Sequence, residues 1–152
     1  LFGVSFALLD LAERYPMKLP PEIVVMETGG MKGSRREIIK EELHGILCSA
    51  FQKKHIHSEY GMTELLSQAY STGENIFSPP PWMRITTRDP HDPLTREEPG
   101  KTGGINVTDL ANIYSCAFIA TEDLGRTLPG DRFEVLGRFD RSDTRGCNLL
   151  AH

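Results

Sequence analysis

The sequence predicts an α/β fold in which a partial parallel sheet with flanking helices is followed by a β-rich segment. In residues 1–75, short apolar runs alternate with a stretch of helical periodicity, which is the order of a parallel sheet. In residues 76–140, short strand-like runs are separated by Pro- and Gly-containing turns. With 152 residues, 39% of them hydrophobic, the chain suits a single domain with a real core, closed by a short tail over residues 141–152.

The first predicted elements are a buried helix and a buried strand. Residues 1–15 are apolar nearly all round, and Pro16 ends any helix there. Residues 22–30, "EIVVMETGG", form a continuous apolar run that ends in two glycines. This pattern is typical of a strand covered on both faces and closed by a tight turn.

A second helix and a second strand follow in the first half. Ser34 and Glu37 form a capping box, and apolar residues then recur at helical spacing as far as Phe51. Residues 55–61, "HIHSEYG", predict a short strand parallel to the first, and residues 62–70, "MTELLSQAY", predict a helix or a turn that leads away from it.

The second half is predicted to be mainly β. Residues 88–104 are rich in Pro, Gly and charge, which indicates an exposed loop or hairpin. The predicted strands share apolar or β-branched runs bounded by turn residues; they are 82–88, 104–108, 115–121 and 132–139.

Composition excludes several classes of partner. The net charge is −4 and no Lys/Arg-rich run is present, which argues against nucleic acid and lipid headgroups. The most apolar stretch, residues 1–11, is shorter than the roughly 20 residues that cross a bilayer. The three cysteines are far apart, which favours a reducing compartment, the cytoplasm. Cys48, on the apolar face of the second predicted helix, and Cys116, inside a strand-like run, are predicted to be core residues.

Four short motifs occur in a fixed order along the chain. Residues 59–64, "EYGMTE", bring a tyrosine, a glycine, a threonine and a glutamate together directly after the second predicted strand. The glycine turn "METGGMKG", residues 26–33, precedes it, and "TEDLGR", residues 121–126, and "GRFDR", residues 137–141, follow it. This ordered set resembles the adenylate-forming superfamily of acyl- and aryl-CoA ligases, firefly-type luciferases and peptide-synthetase adenylation domains.

The resemblance implies an ATP or AMP site with Mg²⁺. Glycines at the turn would let the backbone approach the adenine ring, and an aromatic ring would cover its other face. Thr63 would donate to the α-phosphate, and Glu64 would bind Mg²⁺ through a hard oxygen ligand. Asp140, the aspartate of the last motif, would be the hinge. The nucleotide-binding residues implied by the family are Gly29, Gly30, Tyr60, Gly61, Thr63, Asp123 and Arg138, of which the last two would hold the ribose hydroxyls.

Within the superfamily, the whole chain looks most like the acyl-protein synthetases of the bacterial fatty-acid reductase system. These enzymes activate a fatty acid as acyl-AMP and pass the acyl group to a cysteine of the protein itself, close to its C-terminus. Cys147 lies where such an acceptor would be, and Arg145 would lower the pKa of its thiol from about 8.5. The resemblance therefore implies a fatty acid or other carboxylic acid as substrate and an acyl reductase subunit as a possible partner.

Other interpretations stay open at this point. In an aryl- or acyl-CoA ligase of the phenylacetate type, coenzyme A would take the acyl group and Cys147 would have no chemical role. A non-catalytic scaffold that binds nucleotide or a reductase is a third possibility. Taken singly, each motif also has an ordinary explanation, with Tyr60 in a core and Thr63 and Glu64 in the first turn of a helix.

The chain departs from the family pattern at three places, one of which is the small C-terminal domain of larger members, although the acyl-protein synthetases are themselves short after the hinge. No Ser/Thr/Gly-rich phosphate loop ending near a lysine lies upstream of the glycine turn. The chain alone is therefore expected to lack adenylation activity and to bind ATP poorly. Glu122 stands where most relatives have a glycine before the aspartate, which leaves the backbone geometry at Asp123 to be determined.

Overall fold

The computed structural model describes residues 1–29 and 38–139 of the chain. The chain divides into two compact units. The first comprises Leu1–Met62 and Gln68–Asn75, and the second comprises Thr63–Ser67 and the chain from Ile76 onward. The short segment that carries Thr63 and Glu64 therefore belongs to the second unit, although the strands on either side of it belong to the first.

The first unit is a small mixed sheet with two helices. Its strands lie in the order β1-β2-β3-β4, in which the first three are parallel and β4 runs antiparallel to β3. The elements in chain order are β1 Phe2–Val4, α1 Ser5–Arg14, β2 Met26–Thr28, α2 Lys40–Phe51, β3 His57–Tyr60 and β4 Ala69–Ser71.

The core of this unit lies where the two helices meet the sheet. In α2, the buried residues Leu43, Leu47 and Phe51 recur every four positions and form one apolar stripe. Leu47 and Phe51 are completely buried, and each such side chain contributes about 1.5–3 kcal/mol to folding. The rest of the cluster comes from α1 and from the residues just before β2 and β3, namely Leu8, Leu9, Ala12, Val25 and Ile56.

The second unit is an antiparallel sheet with one short 3₁₀ helix. Its strands lie in the order β5-β9-β8-β7-β6. Phe77 of β5 and Phe133 of β9 stack with ring centroids 5.4 Å apart in its interior. The elements in chain order are β5 Ile76–Ser78, β6 Met83–Arg88, β7 Gly103–Asp109, the 3₁₀ helix Leu110–Asn112, β8 Phe118–Leu128 and β9 Arg132–Arg138.

The predicted α/β class is confirmed, with parallel strands and helices first and β structure afterwards. The loop over residues 88–104 is largely exposed and joins the antiparallel strands β6 and β7, as predicted. The assignment of the chain to a single domain stays a prediction. The capping box at Ser34 and Glu37 and the tail over residues 141–152 lie outside the described residues.

Two local predictions need correction. Residues 1–15 are not one buried helix, because Phe2–Val4 pairs as a strand with Met26–Thr28 and Phe6 of α1 is 47% exposed. This pairing with a distant segment overrides local propensity. Cys116 is exposed rather than buried, because β8 begins only at Phe118 and the cysteine lies in the preceding loop.

For residues 62–70 the sequence allows a helix or a turn, and the structure has a turn whose last residues enter β4.

Cys48 lies on α2 and is partly buried, as the apolar face predicted. Its side chain packs against the core cluster of this unit, and burial raises the pKa of its thiol. Within the described ranges, no helix is both long and apolar enough to span a bilayer.

Candidate functional site

Two of the four motifs meet at one edge of the first unit. β2 and β3 are parallel, and their register aligns Thr28 with Glu59. Gly29 follows β2, while Tyr60 ends β3 and Gly61 follows it. The glycine turn and the tyrosine motif therefore begin side by side at the carboxyl ends of parallel strands, the edge at which open α/β sheets bind their ligands.

Gly29 supplies the bare backbone that close approach of a flat ring requires. Its φ is +76°, a left-handed conformation that side chains rarely adopt, and no heavy atom lies within 4 Å of where a Cβ would stand. The Ser5 hydroxyl lies 2.9 Å from the Gly29 carbonyl oxygen and ties the turn to the start of α1. Gly30 lies outside the described residues.

Tyr60 and Gly61 differ in exposure. Tyr60 is 8% exposed and belongs to the buried apolar set of the chain, whereas Gly61 is exposed. Little of the tyrosine ring is thus accessible, so its role in covering adenine stays a prediction. Glu59 accepts a hydrogen bond from the Thr28 hydroxyl at 3.1 Å, which joins the two strand ends through their side chains.

A buried charged network, which sequence reasoning missed, lies beside this edge. Glu27 of β2 is 1% exposed, and its carboxylate lies 2.9 Å from the Lys40 ammonium, 3.5 Å from His44 Nε2 and 2.9 Å from the Ser5 hydroxyl. Burial raises the pKa of the Glu27 carboxyl, but hydrogen bonds from His44 and Ser58 and the charge of Lys40 outweigh burial and lower the pKa from 4.5 to about 2. The only sequence signal was a glutamate inside an apolar strand run.

In the second unit, Asp123 and Arg138 face each other on adjacent strands. They are register partners across β8 and β9, and Arg138 Nε lies 3.4 Å from Asp123 Oδ1. Arg138 Nη2 also lies 3.5 Å from Glu122 Oε2. The Arg138 side chain is 48% exposed, so a guanidinium and a carboxylate are presented together at the surface of the sheet.

The backbone at Asp123, which the sequence left undetermined, is fixed by Thr121. The Thr121 hydroxyl donates to the Ile105 carbonyl oxygen at 2.9 Å and accepts from the Asp123 N–H at 3.1 Å. Arg88 donates to the Thr121 carbonyl oxygen at 2.7 Å, and burial lowers the pKa of its guanidinium. Hydrogen bonds from the neighbouring strands therefore hold this part of β8, although the usual glycine is absent.

Thr63 and Glu64 are both exposed and lie in the turn before β4. Asn112 donates to the Glu64 carbonyl oxygen at 2.7 Å and so holds the backbone beside these two side chains. No cluster of three or more His, Cys, Asp or Glu side chains that could bind a metal occurs among the residues the structure describes. The role of Glu64 as a Mg²⁺ ligand stays a prediction.

The structure thus brings the site residues together in groups. Gly29 lies with Tyr60 and Gly61 in the first unit, and Asp123 lies with Arg138 in the second. Thr63 and Glu64 are adjacent in sequence to the first group. Cys147, Gly30 and Asp140 fall in parts of the chain that the structure does not describe.

Comparison with known proteins gives matches in structure alone. No protein-family model matches the sequence, and no curated protein matches it significantly. Coronafacic acid ligase from Pectobacterium brasiliense matches with a TM-score of 0.65 and 19% identity, over 90% of this chain and 29% of that one. ATP-bound MatB from Rhodopseudomonas palustris matches with a TM-score of 0.61 and 15% identity, over 91% of this chain and 30% of that one.

A third match carries a bound nucleotide. O-succinylbenzoate coenzyme A synthetase (MenE) from Bacillus subtilis, in complex with AMP, matches with a TM-score of 0.58 and 24% identity, over 93% of this chain and 31% of that one. At these identities the likeness shows the fold. The chain spans about a third of the length of the solved structures it matches.

Proposed function

We propose that this chain is part of an adenylate-forming enzyme, an ATP-dependent acid–thiol ligase. The ordered motifs support the proposal. So does the fold, which the chain shares with ATP-bound MatB, with the AMP complex of O-succinylbenzoate coenzyme A synthetase and with coronafacic acid ligase. The observation that carries it is the pairing of Asp123 with Arg138, side by side on an exposed part of the sheet.

The pair suits a ribose. A vicinal diol presents hydroxyl groups that both donate and accept hydrogen bonds. The Asp123 carboxylate would accept from them and the Arg138 guanidinium would donate to them, and such charge-assisted bonds are the stronger class. The same two side chains lie 3.4 Å apart, so one sugar could contact both.

The remaining roles follow the family resemblance. The adenine ring would lie against the open backbone at Gly29, beside Tyr60 and Gly61, and the resemblance adds Gly30 to this group. Thr63 would donate to the α-phosphate. Glu64 would hold Mg²⁺, which when bound offsets the negative charge of the phosphates.

The chemistry then has two steps. A carboxylate oxygen of the acid attacks the α-phosphorus of ATP, the bond to the β-phosphate oxygen breaks, and pyrophosphate leaves. A thiolate sulfur next attacks the carbonyl carbon of the acyl adenylate, and AMP leaves with the electron pair of the broken C–O bond. The products are a thioester, AMP and pyrophosphate.

We propose Cys147 as the acceptor thiol, as in the acyl-protein synthetases that the whole chain resembles. A fatty acid would be the substrate, and an acyl reductase subunit would take the acyl group onward. The second candidate acceptor is coenzyme A, which is favoured by the likeness to O-succinylbenzoate coenzyme A synthetase.

The proposal is tested by Arg138→Gln in the full-length protein. ATP-dependent pyrophosphate exchange with a carboxylic acid present should show a KM for ATP raised roughly tenfold or more, because a hydrogen bond from a charged group is worth about 1.5–3 kcal/mol. Arg126→Gln is a matched control, since Arg126 pairs with Glu134 at 2.6 Å across the same two strands. Both changes remove an exposed ion pair worth about 0–1 kcal/mol of stability.

Two results would contradict the proposal. One is the absence of acid-dependent exchange in the wild-type full-length protein with any of a panel of fatty and aromatic acids. The other is an equal KM for ATP in the Arg138 and Arg126 variants, which would remove Arg138 from the nucleotide site.

A further inference from the structure

The segment Thr63–Ser67 has no helix or strand of its own, yet it carries two of the proposed site residues. Thr63 and Glu64 are exposed, while Leu65 and Ser67 are each 5% exposed. A turn without regular hydrogen bonding needs other partners for its backbone. The position of the Thr63 and Glu64 side chains therefore depends on what holds this turn.

Asp109, the last residue of β7, holds it most directly. The Asp109 side chain is completely buried. Its Oδ2 accepts from the N–H groups of Leu66 at 3.1 Å and Ser67 at 2.8 Å, and its Oδ1 accepts from the Ser67 hydroxyl at 2.7 Å and the Ala111 N–H at 3.1 Å. Four donors thus fill the roughly four lone-pair positions of one carboxylate.

These bonds keep the group ionised. Burial raises the pKa of the Asp109 carboxyl, but the hydrogen bonds from Ser67, Ala111 and Leu66 outweigh burial, so the pKa is lowered overall. A buried carboxylate is costly unless it is hydrogen-bonded, and an apolar residue at this position would leave the N–H groups of Leu66 and Ser67 without this acceptor.

Two further side chains hold the same segment. Asn112, which is 5% exposed, uses its amide to donate to the carbonyl oxygens of Glu64 at 2.7 Å and Cys116 at 2.9 Å. The Trp82 indole N–H donates to the Ser67 hydroxyl at 2.8 Å. The backbone from Glu64 to Ser67 is therefore fixed from several directions, while the Thr63 and Glu64 side chains stay exposed.

We infer that Asp109 is a positioning residue for Thr63 and Glu64, an inference that rests on the proposed function. Because Asp109 is completely buried, it would act through the turn and not on the substrate directly. It would hold the turn in the conformation that presents the Glu64 carboxylate to the metal ion and the Thr63 hydroxyl to the α-phosphate. Residues that orient a metal ligand from behind typically change metal affinity by roughly tenfold to a hundredfold when they are replaced.

The test replaces Asp109 by Asn in the full-length protein. Asparagine keeps one acceptor oxygen but points an NH₂ group at N–H donors, so the turn should loosen. Hydrogen–deuterium exchange at the Leu66 and Ser67 amides should become faster. In pyrophosphate exchange, the Mg²⁺ concentration at half-saturation should rise roughly tenfold or more, and kcat at saturating Mg²⁺ should change less.

Two further variants complete the test, one as a milder change to the same hydrogen bonds and one as a control. Ser67→Ala keeps the charge of Asp109 and its three backbone bonds, so it should show a smaller shift in the same direction even if Asp109→Asn does not fold. Asp92→Asn is the control, because Asp92 also accepts from a backbone N–H and a hydroxyl, those of Leu94 and Thr95, but in the exposed loop between β6 and β7. It should change neither readout.

The outcomes separate the inference from the function on which it rests. Unchanged amide exchange in Asp109→Asn overturns the inference whatever the enzyme does. Faster exchange with an unchanged Mg²⁺ dependence also overturns it, since the turn then does not govern the ligand. If the wild-type protein has no ATP-dependent exchange at all, the proposed function fails, and amide exchange alone decides whether Asp109 positions the turn.

Discussion

At the scale of single residues, two buried acidic side chains lie next to turns of the proposed site. Glu27 precedes the glycine turn and accepts from the Ser5 hydroxyl, and Asp109 accepts from the Thr63–Ser67 turn. In each case an acidic side chain that is almost never buried unless paired takes a place in the interior and is surrounded by donors. The Ser5 hydroxyl that donates to Glu27 also lies 2.9 Å from the Gly29 carbonyl oxygen. Asp109 accepts from two backbone N–H groups of the turn that carries Thr63 and Glu64.

Glu27→Gln tests this arrangement through the pH dependence of stability. The carboxyl has a pKa of about 2 in the fold, below its ordinary 4.5, so the folded chain binds fewer protons than the unfolded chain. The stabilisation, on the order of 3 kcal/mol, is complete above pH 4.5 and is lost as the pH falls toward 2. The urea midpoint of the variant should be lower than that of the wild-type chain at pH 7, and the difference should shrink steadily below pH 4.5.

Glu22→Gln supplies the control for this measurement, since Glu22 is exposed and precedes β2. Its urea midpoint should follow that of the wild-type chain at every pH. A difference between wild type and Glu27→Gln that stays constant from pH 7 to pH 3 would show that the charge of Glu27 does not stabilise the fold.

At the scale of elements, an irregularity between β8 and β9 sets the proposed ribose pair. The register pairs Gly125 with Val135 but Leu124 with Gly137, so Leu136 is one extra residue on β9. Without this bulge, Asp123 would face Gly137 and not Arg138. Bulges of this kind redirect side chains at the edges of functional sites.

Gly125→Ala should damage this element. A Cβ at position 125 would collide with the Glu134 carbonyl oxygen and lie 2.6 Å from Ile105 Cδ1. Backbone cannot yield as a flexible side chain can, so the chain should lose about 1–3 kcal/mol of stability in urea unfolding. Asp123 and Arg138 should also lose their alignment, and the KM for ATP of the full-length protein should rise.

The same substitution in α2 should have the opposite effect on stability. Gly45 lies in the helix interior, and no heavy atom lies within 4 Å of the place that an added methyl group would occupy. Gly45→Ala should therefore stabilise the chain by about 0.5–1 kcal/mol through helix propensity. If both variants shifted the urea midpoint in the same direction, the collision at Gly125 would not be the cause of its effect.

At the scale of the whole molecule, the proposed enzyme is defined by which thiol receives the acyl group. The full-length protein should be incubated with ATP, Mg²⁺ and myristate, with and without coenzyme A. With Cys147 as acceptor, mass spectrometry should find a hydroxylamine-labile acyl group on the peptide that contains Cys147, because a thioester is cleaved by hydroxylamine. Cys147→Ser should abolish the label, while Cys116→Ser, which changes an exposed thiol, should keep it.

The opposite result identifies the second candidate. If label persists in Cys147→Ser, the proposed acceptor is wrong. Accumulation of a coenzyme A thioester with no label on the protein would assign the chain to the coenzyme A ligases instead.

Features that depend on neighbouring residues can be predicted from the amino-acid sequence. The α/β order, the apolar stripe of α2 up to Phe51, and the motif at Tyr60 to Glu64 are all patterns within a few positions of one another. Asp123 and Arg138 were placed in one site by family resemblance, and the structure shows them as partners across two strands.

Contacts between distant residues follow from the tertiary structure alone. Phe2–Val4 becomes a strand because β2 accepts it as a neighbour. Within the turn of residues 62–70, Asp109 accepts from the N–H groups of Leu66 and Ser67, although it lies 42 residues away from Ser67. No local sequence pattern predicts the contact between Asp109 at the end of a strand and Ser67 in a turn. Long-range hydrogen bonds of this kind form only when the chain has folded, which is why the residues that hold the site were not found from the sequence.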